Sequence, residues 1–104
     1  MISSPLTLPE ALAILRAHRA ELEARGIRHA ALFGSLARGE AGPNSDIDVL
    51  IDFAPGLKMG LYDYAGHRLF VSDCFGISEV DVVALENLRP EIRSNVEKDA
   101  IYAF

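Results

Sequence analysis

Apolar positions in the first quarter of the chain follow a helical rhythm. Leu8, Ala11, Leu12, Leu15, Arg19 and Leu22 recur on a 3.6-residue stripe, with Arg16, Glu21, Glu23 and Arg25 mostly on the other face. Thr7 with Glu10 three residues later forms a capping-box pattern, and Pro9 falls in the first turn, where its missing N–H costs nothing. Gly26 then predicts the stop. The rhythm changes at His29, where His29-Ala-Ala-Leu-Phe33 is a short apolar run ending at Gly34, the pattern of a buried strand. From Gly39 to Asn44 the chain is dense in turn formers and reads as a loop. Asp46 to Phe53 then alternates strictly, with Ile47, Val49, Ile51 and Phe53 on one face and Asp46, Asp48, Leu50 and Asp52 on the other.

Ala54-Pro-Gly56 ends that strand. Leu61 to Phe75 predicts a helix with Leu61, Ala65, Leu69 and Phe70 toward the core and Gly76 as its stop. Glu79 to Leu85 is rich in Val and reads as a third strand, and Pro90 opens a last helix running to about Ala100. The expected architecture is one α/β (α+β) domain over 1–104, a small mixed sheet of three to four strands flanked by helices, without repeats or linkers.

Composition narrows the function. The chain has 104 residues, is 50% hydrophobic and 24% charged, which fits a folded globular domain. No apolar run approaches the roughly 20 residues needed to span a bilayer, and MISSPLTLPE lacks the features of a secretory signal. A cytoplasmic setting and no membrane partner are expected. One cysteine, Cys74, excludes a disulfide framework within the chain and a cysteine-cluster metal site. A net charge of −5 argues against general nucleic-acid binding. The acids are concentrated late: residues 1–45 carry five Lys/Arg and four Asp/Glu, whereas residues 46–104 carry five and eleven. Such acids can form a solvated surface or converge on a cation, and their positions favour the second.

Gly34-Ser35 lies where a strand runs into a short stretch, Leu36-Ala-Arg-Gly39, that can form a helical turn. This junction exposes backbone N–H groups and a hydroxyl to an anion, although most Gly-Ser pairs are ordinary turns. Asp46 and Asp48 point to the same side of their strand, about 6.6 Å apart along it. Carboxylates so placed repel unless a cation joins them, and oxygen-only ligation suits Mg²⁺ or Mn²⁺; the alternative is a solvent-facing strand face with two acids, which Asp52 on the same side also fits. Asp52 lies too far along the strand to join the same centre. Asp81 stands alone between Val80 and Val82-Val83, where a charge is costly unless paired or metal-bound. If its strand neighbours the Asp46–Phe53 strand, it can stand beside Asp46 and Asp48 as a third ligand; the alternative is a strand-end residue in water. His18, His29 and His67 are too scattered for a metal site, Cys74 reads as a core residue, and Tyr62 and Tyr64 read as packing at the core or its rim.

Gly34-Ser35-Leu36-Ala37-Arg38-Gly39, followed by Ser45-Asp46-Ile47-Asp48, resembles the signature of the polymerase-β-type nucleotidyltransferase superfamily. Ten residues separate Gly34-Ser35 from Asp46-x-Asp48, as in its minimal (MNT) members. Val80-Asp81-Val82-Val83 is similar to that family's third-carboxylate strand. The resemblance covers about residues 8–100. It implies the nucleotidyltransferase fold and a Mg²⁺- or Mn²⁺-dependent enzyme of the EC 2.7.7 type that transfers AMP from ATP to a hydroxyl. By position it makes Asp46, Asp48 and Asp81 catalytic metal ligands, with Asp81 also a candidate base. It assigns Gly34 and Ser35 to the β/γ-phosphates. Arg38 either faces phosphate or pairs with a nearby carboxylate. Ser45 either touches nucleotide or caps the turn, and Asn44 is a turn residue.

Larger members carry a second domain that grips the acceptor. A chain of this length leaves that side open, so the resemblance implies that a partner brings the acceptor. Minimal members resemble the antitoxin half of HEPN/MNT toxin–antitoxin pairs, which implies a HEPN toxin as partner and a tyrosine hydroxyl as acceptor. Two alternatives stay open: a stoichiometric binding antitoxin without turnover, and an aminoglycoside-type nucleotidyltransferase that completes its acceptor pocket as a homo-oligomer.

Overall fold

A computed structural model describes residues 6–40, 46–57, 60–76 and 80–104. The N-terminal stripe folds as two consecutive helices rather than the single one expected: α1 (Leu8–Ala17) and α2 (Arg19–Ala24), separated at His18. The capping box forms as predicted, with the Glu10 N–H donating to the Thr7 hydroxyl and the Thr7 N–H to the Glu10 carboxylate. At His18 the backbone leaves helical geometry (φ −101°, ψ 12°), but Leu22 stays on the buried side, so one stripe serves both helices.

Strand β1 (Ile27–Phe33) follows, then the single turn α3 (Gly34–Ala37), strand β2 (Ile47–Phe53), helix α4 (Leu61–Phe75) and strand β3 (Val80–Ala84). A 3-10 turn (Leu85–Asn87), helix α5 (Pro90–Asp99) and strand β4 (Ile101–Tyr102) complete the described elements. They form a four-stranded mixed sheet in the order β3-β2-β1-β4. β1 runs antiparallel to β2 and to β4, whereas β2 and β3 are parallel, joined by the α4 crossover. β4 goes unpredicted because two residues carry no detectable alternation; pairing with Ala31 and Leu32 makes it a strand.

The two sheet faces are covered unequally. Ala30, Leu32, Val49, Ile51 and Val82 on one face pack with Leu15, Leu22, Val71 and Phe75 of the helices in the main core. The other face holds a smaller cluster of Ala31, Leu50 and Leu85, flanked by Phe33, Leu88, Val96 and Ala100. Leu50, placed by alternation among the acids, is therefore buried as well (1% exposed). The core-facing residues of α4 differ from expectation. Val71 and Phe75 are buried and Phe70 packs at the edge, while Ala65 and Leu69 point outward, Leu69 at 66% exposure. Apolar residues occur all around this helix, so periodicity could not choose its inward face. Among the described residues, no helix is long and apolar enough to cross a membrane.

Candidate active site

The site begins where β1 ends. Phe33 is extended and pairs with Asp48 across the β1–β2 ladder, so the next residue must turn over the Asp48 side chain. Gly34 does so at φ +74°, in the left-handed region that glycine enters without a Cβ penalty. A Cβ built there would collide with the Asp48 carboxylate. Gly34 and Asp48, from motifs ten residues apart in the chain, are thus brought together. Ser35 is half-buried, and its carbonyl accepts from the Glu40 N–H at 2.8 Å, closing the turn after α3.

Parallel pairing of β2 with β3 sets Asp48 directly opposite Asp81. Asp46 is exposed just ahead of β2, two residues before Asp48. Asp48 has a carboxyl pushed above its ordinary range, first by burial and then by the charges of Asp81 and Asp46, with Arg38 opposing them. Asp48 is therefore within reach of the charges of both other predicted acids at one end of the sheet. They form an open group rather than a closed cage: among the described residues, no three His, Cys, Asp or Glu side chains stand ready to hold a metal ion by themselves. Asp52 lies further along β2 and pairs with Arg28 at 3.1 Å, apart from the group as its spacing predicted.

Two arginines border the acids. Arg38 ends α3, and its Nε donates to Glu40 at 2.9 Å and its Nη1 to Asp99 at 3.3 Å. These bonds raise its pKa, Glu40 first and Asp99 second. Arg38 thus pairs with two nearby carboxylates. Arg68 of α4 was missed: its Nη2 lies 3.9 Å from Asp81 Oδ1. No sequence signal marks it, because its position depends on how α4 packs beside β3. Ser45 and Asn44 lie outside the described residues.

The remaining polar residues lie elsewhere. His18 pairs with Glu21, His29 with the Phe104 carbonyl and His67 with Arg25, so the three imidazoles do not converge. Cys74 packs against the main core, and burial pushes its thiol pKa up. Tyr64 also packs against that core, but Tyr62 does not: it is 93% exposed on the outer side of α4.

Comparisons with known proteins place the chain in a family. The sequence profile described as nucleotidyltransferase domain matches residues 15–103. The chain is 36% identical to the protein adenylyltransferase MntA of Thermococcus cleftensis over 98 residues, covering 93% of this chain and 96% of that one. A solved structure proposed to be a minimal nucleotidyltransferase superposes with a TM-score of 0.76 at 33% identity, covering 95% of this chain and 98% of the other. The fold also matches a chain of the complex between tri-AMPylated Shewanella oneidensis HEPN toxin and MNT antitoxin. There the TM-score is 0.61 at 14% identity, covering 89% and 71% of the two chains.

Proposed function

Because the chain belongs to the nucleotidyltransferase domain family and is an enzyme of that type, we propose that it transfers AMP from ATP to a tyrosine hydroxyl of a HEPN-type toxin and so acts as its antitoxin in the cytoplasm. The observation that supports this reading most is the meeting of Gly34 with Asp48, and of Asp48 with Asp81, at one end of the sheet. The relative from Thermococcus cleftensis supports the reaction, and the Shewanella oneidensis complex supports the partner.

Asp46, Asp48 and Asp81 fit a hard divalent cation: they are oxygen donors, Asp48 lies within reach of the charges of the other two, and open positions are left for phosphate and water. They would hold Mg²⁺ or Mn²⁺, which supplies charge stabilisation for the transferring phosphoryl group when bound. The tight turn at Gly34 brings backbone within reach of the β/γ-phosphates, with the Ser35 hydroxyl beside it. Asp81 is on the edge strand and 56% exposed, so an acceptor hydroxyl carried by a partner can reach it from solvent. In the transfer, the acceptor oxygen bonds to the α-phosphorus while the α–β anhydride bond breaks. Pyrophosphate leaves with that bond's electron pair, and the hydroxyl proton passes to the Asp81 carboxylate.

Arg38 serves as a brace between α3 and α5 in this reading. Arg38→Gln is expected to keep transfer within about fivefold of wild type, the scale of an exposed ion pair. A rise in the KM for ATP of two orders of magnitude would instead place it on phosphate.

Incubation with labelled ATP, Mg²⁺ and the co-purified partner tests the function. Label on the partner is the expected result. Tight association without label would establish a stoichiometric antitoxin, and label only on an added aminoglycoside would establish the small-molecule enzyme.

A further inference from the structure

Asp48 and Asp81 are matched in register but held by different means. Asp48 sits against the Gly34 turn and is partly buried. Asp81 projects from an edge strand, and its recorded polar contact among the described residues is with Arg68. Both partners of this 3.9 Å pair are about half exposed, at 48% and 56%. Exposed, long ion pairs contribute little to folding, so stability gives a weak reason for a guanidinium at this position. The position is chemically consequential all the same. Arg38 is already engaged by Glu40 and Asp99, which leaves Arg68, among the described ion pairs, as the cation that contacts the Asp46/Asp48/Asp81 group. Its guanidinium also lies 5.7 Å from the Tyr64 ring.

We propose that Arg68 is the resident counter-ion of Asp81, and that a divalent cation enters the carboxylate group by displacing it. This rests on the nucleotidyl-transfer reading of the three carboxylates. A cation bound to Asp81 opposes a second cation in two ways of the same sign: it occupies the ligand oxygen, and it repels the incoming charge. Metal alone therefore binds less tightly than three unpaired carboxylates would bind it. Once freed, the guanidinium leaves positive charge beside the place where a triphosphate accumulates negative charge. Metal and nucleotide binding then favour each other, and by linkage the favour is reciprocal.

Titration of the full-length protein with Mn²⁺ alone, following the electron paramagnetic resonance signal of free Mn²⁺, tests this without turnover. Arg68→Gln should lower the Kd for Mn²⁺ by about two- to fivefold, the scale of an exposed ion pair. Arg68→Lys, which keeps the charge, should stay near wild type. In an Asp81→Asn background, Arg68→Gln should lose this effect. Unchanged or weaker Mn²⁺ binding by Arg68→Gln would overturn the assignment. So would an equal tightening with and without Asp81, which would mean that Arg68 acts only through its general field. A wild-type protein that transfers AMP and binds Mn²⁺, paired with an Arg68→Gln variant that binds it no better, removes the Arg68 role alone. A wild-type protein that takes up no Mn²⁺ removes the metal-ligand reading and the Arg68 role together.

Discussion

Asp48→Asn is expected to reduce AMP transfer at least about a thousandfold while leaving the protein at least as stable as wild type at neutral pH. The loss follows from position. Asp48 is opposite Asp81 in the parallel ladder and beneath the Gly34 turn, so it joins the carboxylate group to that turn, proposed above to face phosphate. Charge stabilisation by a bound cation is worth several kcal/mol, and each ~1.4 kcal/mol is a factor of ten in rate. The stability expectation has the opposite sign for a physical reason. Burial and the charges of Asp81 and Asp46 hold the Asp48 carboxyl above its ordinary pKa, so its ionised form opposes folding. At neutral pH both folded and unfolded chains are ionised there, and the full unfavourable contribution is present. As pH falls toward the ordinary carboxylate range, the folded protein takes up the proton first, and the contribution is relieved. The melting temperature of Asp48→Asn should therefore exceed that of wild type most at neutral pH, with the gap narrowing on acidification. Melting curves across that range, beside labelled transfer assays, check both halves. A variant that melts lower at neutral pH would mean that Asp48 has a structural role the geometry does not show.

Gly34→Ala is the second large effect, and it should damage stability and activity together. The residue sits at φ +74°, where an L side chain costs about 1–2 kcal/mol. Its new Cβ would also meet the Asp48 carboxylate, so the turn, the acid or both must move. Gly39 provides an internal control. It has the same φ of +74° but open space where a Cβ would lie. Gly39→Ala should therefore show only the conformational cost, lowering the melting temperature by roughly 4–16 °C for a domain of this size. Gly34→Ala should melt lower still and lose transfer by about a hundredfold or more, as expected when reacting groups are displaced by about 1 Å. Equal effects at the two glycines would show that the contact with Asp48 has no importance.

The chain's own chemistry accounts for how much of this was legible. Strict alternation from Asp46 to Phe53 identified β2, which forms over Ile47–Phe53 with Asp46 just ahead of it, although Leu50 on the other face is buried as well. The Val-rich context of Asp81 suggested a costly charge, whereas the edge position of β3 leaves its side chain 56% exposed, so solvent rather than a partner can carry that charge. The capping box at Thr7 and Glu10 fixed the start of α1 because both bonds are local. Helix α4 was legible as an element but not in orientation. Its apolar residues surround it, and only packing against β3 and α1 selected Val71 and Phe75 over Ala65 and Leu69. The break at His18 and the two-residue β4 are likewise decisions of tertiary context.

Local pattern therefore singled out the candidate residues: Asp46 and Asp48 by alternation, Asp81 by its apolar neighbours and the Gly-Ser turn by its residue types. Tertiary structure alone decided that Asp48 lies opposite Asp81 and below Gly34, that Arg38 joins Asp99, and that Arg68 reaches Asp81. The division has a simple origin. Periodicity and capping act over a few residues, whereas strand order, register and the approach of a helix to a sheet edge are set by burying a shared core.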